Sequence, residues 1–95
     1  MVRVDEVQRW PGSAPRCLRD GSCHLTADTE DELHAFARRL GMKSAWFQVS
    51  VSGVAHYDLT PAKRARALEL GAMFVPARQQ ARERLAARRK LAEEP

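Results

Sequence analysis

The chain has 95 residues, with 16 Lys+Arg against 12 Asp+Glu, a formal charge of +4, 44% apolar residues and two cysteines. A chain of this size and composition folds as one ordinary soluble domain with a modest core, which excludes a separate substrate domain and a disulfide-stapled scaffold. The opening run MVRVDEVQRW has no basic start followed by an apolar stretch, so neither secretion nor a membrane span is indicated, and a reducing cytosol is the expected compartment.

In chain order, Val2-Arg3-Val4 alternates β-branched residues and reads as a short strand ending at Asp5. A Pro- and Gly-containing loop follows from about Trp10 to Gly21, and Ser22 to Ala27 reads as a second strand. Thr29-Glu30-Asp31-Glu32 fits a capping box, Leu33, Phe36, Ala37 and Leu40 fall at i, i+3, i+4 and i+7, and Gly41 stops the helix. Ala45 to Val51 predicts a further strand with a turn at Ser52-Gly53, and His56-Tyr57-Asp58-Leu59 a polar loop. Thr60 and Pro61 open a second helix that runs to Leu70 and ends at Gly71. Residues 72–75 predict a short buried strand, and Pro76 to Ala92 a helix of good formers with a thin apolar stripe of Ala81, Leu85, Leu91 and Ala92.

This order predicts a small single α/β domain of about four mostly parallel strands and three helices, the last helix basic. Residues 1–76 would form the core and 77–95 a basic C-terminal helix or arm. The charge follows the same division: residues 1–60 hold 7 basic and 8 acidic side chains, residues 61–95 hold 9 and 4. In a parallel sheet, ligands sit at the carboxyl ends of the strands. Asp5, the Ala27-Asp28 step and the loop His56 to Thr60 would converge there.

Four stretches carry a resemblance: Ser22 to Asp28, Glu32 to Ala37, Trp46-Phe47-Gln48, and His56 to Arg64. Together they resemble the small bacterial and phage family called domain of unknown function 4031, over about residues 1–75. The resemblance implies a family and no activity, substrate or catalytic residue, and the basic tail lies outside the matched motifs.

The candidate chemistry rests on the residues themselves. His24, His56 and Asp58, with Asp5 or Asp28 nearby, offer imidazole and carboxylate ligands suited to a divalent metal such as zinc, manganese or iron. The bland alternative is an aspartate that orders the turn before a helix. Without metal, His24 or His56 would act as general acid or base, oriented by Asp5 or Asp58, with Lys63 or Arg64 stabilising negative charge. Thr60 to Arg64 would grip a phosphate at a helix N-terminus, or would simply be a solvated basic face. Trp46, Phe47 and Tyr57 would stack on a base unless they belong to the core, and Gln48 or Tyr57 would add polar specificity.

Cys17 and Cys23 offer a disulfide or soft ligands, with two reduced, unrelated thiols as the plainer reading. Cys23 as a nucleophile beside His24 is disfavoured because neighbours on a strand face opposite ways. His34 flanks the apolar stripe of its helix. Arg78, Arg82, Arg84, Arg88, Arg89 and Lys90 place six cations on the last helix, with 78, 82 and 89 close to one face, available to nucleic acid.

Two functions follow. One is a site for a phosphate-bearing ligand, a nucleotide or nucleic acid, acting as a metal-dependent hydrolase. The other is a non-enzymatic module whose basic helix docks nucleic acid, a protein partner or a second copy of the chain.

Overall fold

The computed structural model describes residues 1–8 and 21–93. Cys17 and the loop expected from Trp10, Gly21 excepted, lie outside the described residues. The elements are β1 (Val2–Val4), β2 (Cys23–Ala27), α1 (Glu30–Arg39), a single 3-10 turn (Ser44–Trp46), β3 (Gln48–Val49), β4 (Ala55–Leu59), α2 (Pro61–Glu69), β5 (Met73–Phe74) and α3 (Ala77–Glu93).

Five strands form one mixed sheet in the order β3-β4-β2-β1-β5. Among the described residues β1–β2, β2–β4 and β3–β4 pair antiparallel, and β1–β5 pairs parallel. The sheet is therefore mostly antiparallel, not mostly parallel, and has a fifth strand. The reason lies in the crossovers. By these pairings β2 and β3 run parallel across α1, and β4 and β5 run parallel across α2, as crossovers require. Each crossover skips a neighbour, however: β4 inserts between β2 and β3, while β2 and β1 lie between β4 and β5. Parallel strands linked in sequence thus become separated in space; β2, β3 and β4 pair antiparallel, and edge strand β5 pairs parallel with β1.

Three local expectations change with it. The segment read as a strand from Ala45 is a 3-10 turn followed by the two residues of β3. The segment read as the loop His56–Leu59 is the body of β4. In β5 the strand residues Met73 and Phe74 are half exposed at the sheet edge, and burial falls instead on the flanking Ala72 and Val75.

Both crossover helices start and stop as their sequences dictate. Thr29 Oγ1 accepts from Glu32 N at 3.2 Å, and Thr60 Oγ1 accepts from Lys63 N at 3.2 Å. Gly41 and Gly71 follow the two helices at φ 76° and 105°, a left-handed turn that a Cβ would strain. Leu33, Phe36 and Ala37 of α1 and Ala67 of α2 pack with Val2, Val4, Cys23, Leu25, Tyr57 and Leu59 of the sheet.

Because side chains alternate along a strand, the residues between these core positions emerge on the opposite face. That face is polar: Arg3 and Asp5 lead from β1, His24 and Thr26 from β2, His56 and Asp58 from β4. Helix α3 lies against it. Buried Gln80 accepts a hydrogen bond from Thr26 Oγ1 at 2.8 Å and donates to Val75 O at 2.8 Å. The Glu6 carboxylate accepts from Ala77 N at 3.1 Å, a negative charge at the start of α3. Beyond residue 80 every described residue of α3 is exposed, Leu85 and Leu91 among them, so the thin apolar stripe covers no core.

Candidate metal centre on the polar face of the sheet

The register of β2 and β4 sets His24 directly opposite Asp58, and Gln48 of β3 opposite His56. Two imidazoles and one carboxylate from distant stretches of sequence thereby meet on one face. His24 Nε2 lies 3.8 Å from Asp58 Oδ1, and His56 Nε2 lies 3.6 Å from the same oxygen. The two rings meet edge to face, with centroids 5.2 Å apart and planes at 78°.

The second nitrogen of each ring is already committed. His56 Nδ1 donates to Val54 O at 3.0 Å; a carbonyl only accepts, so the proton sits on Nδ1 and Nε2 presents a lone pair. His24 Nδ1 donates to Asp5 Oδ2 at 2.7 Å, and His24 N donates to Asp5 Oδ1 at 2.6 Å. Asp5 is buried, and its position is fixed again by Arg64 Nε, which donates to Asp5 O at 2.9 Å. The Asp5 hydrogen bond raises the His24 pKa against the opposing effect of burial. Asp58 is steadied by Gln48 Nε2, which donates to its other oxygen at 3.2 Å.

One donor atom from each of His24, His56 and Asp58 lies within 4.8 Å of the others. Bonds of about 2.0–2.1 Å to nitrogen or carboxylate oxygen need slightly closer spacing, so an ion would draw the three side chains together by a few tenths of an ångström each. A cavity of about 190 Å³ adjoins His24 and His56, bounded by Ser50, Ser52, Thr26, Gln80 and Arg84. A larger groove of about 460 Å³ shares Thr26, Ser52, Gln80 and Arg84 with it and continues along α3 to Asp28 and Glu30.

The remaining sequence-derived residues fall elsewhere. Asp28 does not join Asp5, because the antiparallel pairing of β1 with β2 puts the end of one strand beside the start of the other. Asp28 instead pairs with Arg3 and with the Met1 amine, and its carboxyl is held below its ordinary range by Arg3 first and the amine second. Tyr57 points into the core, where its hydroxyl meets His34 Nδ1 at 2.7 Å and its ring packs on Phe47 and His34. It therefore cannot stack on a ligand at the histidines. His34 is its partner at the border of the apolar face.

Lys63 Nζ donates to Leu40 O at 2.6 Å, tying α2 to the end of α1, and Arg64 lies over the Phe74 ring at 5.3 Å. Thr60 caps its own helix. Trp46 is half exposed with Lys43 over its ring at 5.6 Å, and lines a separate cavity with Gln48, Asp58, Thr60 and Lys63. Cys23 sits on the core face, and burial pushes its thiol up to about 12. Arg78, Arg82 and Arg89 lie on the exposed outer side of α3, Arg82 and Arg89 sharing a shallow hollow with Leu85 and Lys90.

Sequence reading missed Gln80, Arg84 and the two serines, which reach the site only through the docking of α3 and the β3–β4 turn. Among the described residues no helix is long and apolar enough to cross a membrane. No curated protein and no solved structure matches the chain. The profile of the family described as "Protein of unknown function (DUF4031)" matches residues 2–88, reaching well into α3, and on that extent the chain belongs to this family.

Proposed function

We propose that the polar face binds a divalent metal through His24 Nε2, His56 Nε2 and Asp58, and that the centre hydrolyses a phosphate-bearing ligand. The observation that carries this reading is the commitment of both Nδ1 atoms, one to the Asp5 carboxylate and one to Val54 O, which leaves two Nε2 donors facing one carboxylate. A carboxylate behind a ligating histidine fixes its orientation and strengthens it as a donor. Three protein ligands are also what hydrolytic metal sites use, because further positions stay open to water and substrate.

When bound, such an ion lowers the pKa of its water to about 7 and polarises a phosphoryl oxygen. The net reaction adds the water oxygen to phosphorus and breaks the ester P–O bond. The water proton ends on the departing alcohol. Asp5, Val54 and Gln48 hold the three ligands in place, and the cavity beside them receives the phosphoryl group.

Titration with Co²⁺, followed by its visible absorption, tests the centre. Wild type is expected to bind one equivalent, and His24→Ala, His56→Ala and Asp58→Ala each to lose it. Equal binding by all three variants removes the site. Release of phosphate from a panel of phosphate esters, in wild type against His56→Ala, tests the chemistry.

A second reading is favoured by the outer side of α3, where Arg78, Arg82, Arg89 and Lys90 stand exposed and only Glu83 and Glu93 are acidic among the described residues of the helix. There the helix would contact nucleic acid through counterion release. Its test is the combined replacement of Arg78, Arg82, Arg89 and Lys90 by Ala, which spares Gln80: salt-sensitive binding to duplex DNA lost in that variant supports this reading, and binding retained by it refutes the reading.

A further inference from the structure

Arg84 lines both the small cavity and the larger groove, so its side chain marks their junction. It makes no hydrogen bond, ion pair or ring contact among the described residues, whereas its neighbour Arg88 is engaged with Ser52 O. Across the small cavity, Ser50 and Ser52 share one hydrogen bond at 3.0 Å, and Ser50 Oγ also accepts from Val54 N. Two hydroxyls that share one hydrogen bond keep one hydrogen for a third acceptor. An unpaired guanidinium and a spare hydroxyl donor therefore face the same space as the imidazoles.

Charge decides what class of ligand enters. A divalent ion would be offset by Asp58 and Asp5, which leaves the Arg84 cation over in the small cavity and calls for an anion there. The larger groove differs: with Arg84 assigned to the small cavity, Arg3 and Arg88 stand there against Asp28, Glu30 and Glu83. A polyanionic strand would meet three carboxylates along it. A neutral, polar body would meet no such repulsion. We propose, resting on the metal-centre reading, that the small cavity is a phosphoryl subsite with Arg84 as its specificity-determining residue, and that the substrate is a small monophosphate ester with an uncharged remainder in the larger groove.

A guanidinium meets phosphate oxygens through paired charge-assisted bonds that an ammonium does not reproduce. The test measures binding of inorganic phosphate, methyl phosphate and a short oligodeoxynucleotide by calorimetry, with and without Co²⁺, to wild type, Arg84→Ala and Arg84→Lys. Both phosphates are expected to bind wild type, to weaken about tenfold or more in Arg84→Ala and to recover partly in Arg84→Lys, while Co²⁺ affinity stays unchanged. Phosphate affinity equal in wild type and Arg84→Ala overturns the proposal. So does phosphate that fails to bind the folded wild type, or an oligonucleotide that binds the groove more tightly than methyl phosphate and loses that advantage in Arg84→Ala. Arg84-dependent phosphate binding by a protein that takes up no Co²⁺ supports the subsite and removes the metal centre, so the two readings fail separately.

Discussion

Asp5 is buried, spends both carboxylate oxygens on His24, and has its own carbonyl held by Arg64. Replacing it with Asn keeps the shape and removes the charge behind the imidazole. Asp5→Asn is expected to weaken Co²⁺ binding about 10–100-fold, read by the same absorption titration, with the folded far-ultraviolet dichroism unchanged. Tyr57→Phe acts on the other face: it leaves His34 Nδ1 without its 2.7 Å partner and is expected to cost about 1 kcal/mol in urea unfolding. Cys23, with its thiol pushed up to about 12, should resist alkylation at neutral pH in a Cys17→Ser background until the protein is unfolded, which a labelling time course would show. At this scale the residue types of the site, His24, His56, Asp58 and Asp5, were legible in the sequence as chemistry. Their partners were not: Val54 contributes a backbone carbonyl, and Arg84 and Gln80 are ordinary residues of a helix that no local pattern aims at the sheet.

Helices α1 and α2 were legible because capping residues, periodicity and terminal glycines all agree. Strand β4 was not. Ala-His-Tyr-Asp-Leu alternates as a strand should, but its polar positions carry functional groups, and the flanking Ser-Gly and Thr-Pro signal turns and a helix start. Read as a loop, the segment loses its parity, and Tyr57 then appears beside His56 and Asp58 when it faces away from them. The docking of α3 was equally hidden, since a helix with so few apolar residues is held by polar bonds. Gln80 supplies two of these, so Gln80→Ala leaves Thr26 Oγ1 and Val75 O without them and should cost about 1–3 kcal/mol. Hydrogen exchange would show it as faster exchange in α3 with α1 little changed; equal protection of α3 would mean that other contacts hold the helix.

For the whole molecule, the α/β class and the three helices were legible, and the sheet order was not, because a skipped neighbour leaves no trace in local sequence. One charge cluster ties the start of the chain to the end of β2: Asp28 binds Arg3 and the Met1 amine. Its folded pKa is lowered from the ordinary 3.8, so the stabilisation it gives is present above that value and is lost as pH falls through the folded pKa. Wild type should therefore lose more thermal stability than Asp28→Asn between neutral pH and pH values below 3.8. Parallel acid denaturation curves for the two proteins would show that the cluster contributes nothing.

The alternation of β2 and β4 has a consequence for how the family can change. In both strands the odd-numbered residues (Cys23, Leu25, Tyr57, Leu59) build the interior, while the even-numbered ones (His24, Thr26, His56, Asp58) line the polar face and include the three proposed ligands. Selection can rewrite His24, His56 and Asp58 without touching the interior, whereas Thr26 also anchors α3 through Gln80. A library confined to His24, His56 and Asp58 would vary the polar face on a constant scaffold, and descendants of this chain can change that face while remaining recognisable by their cores.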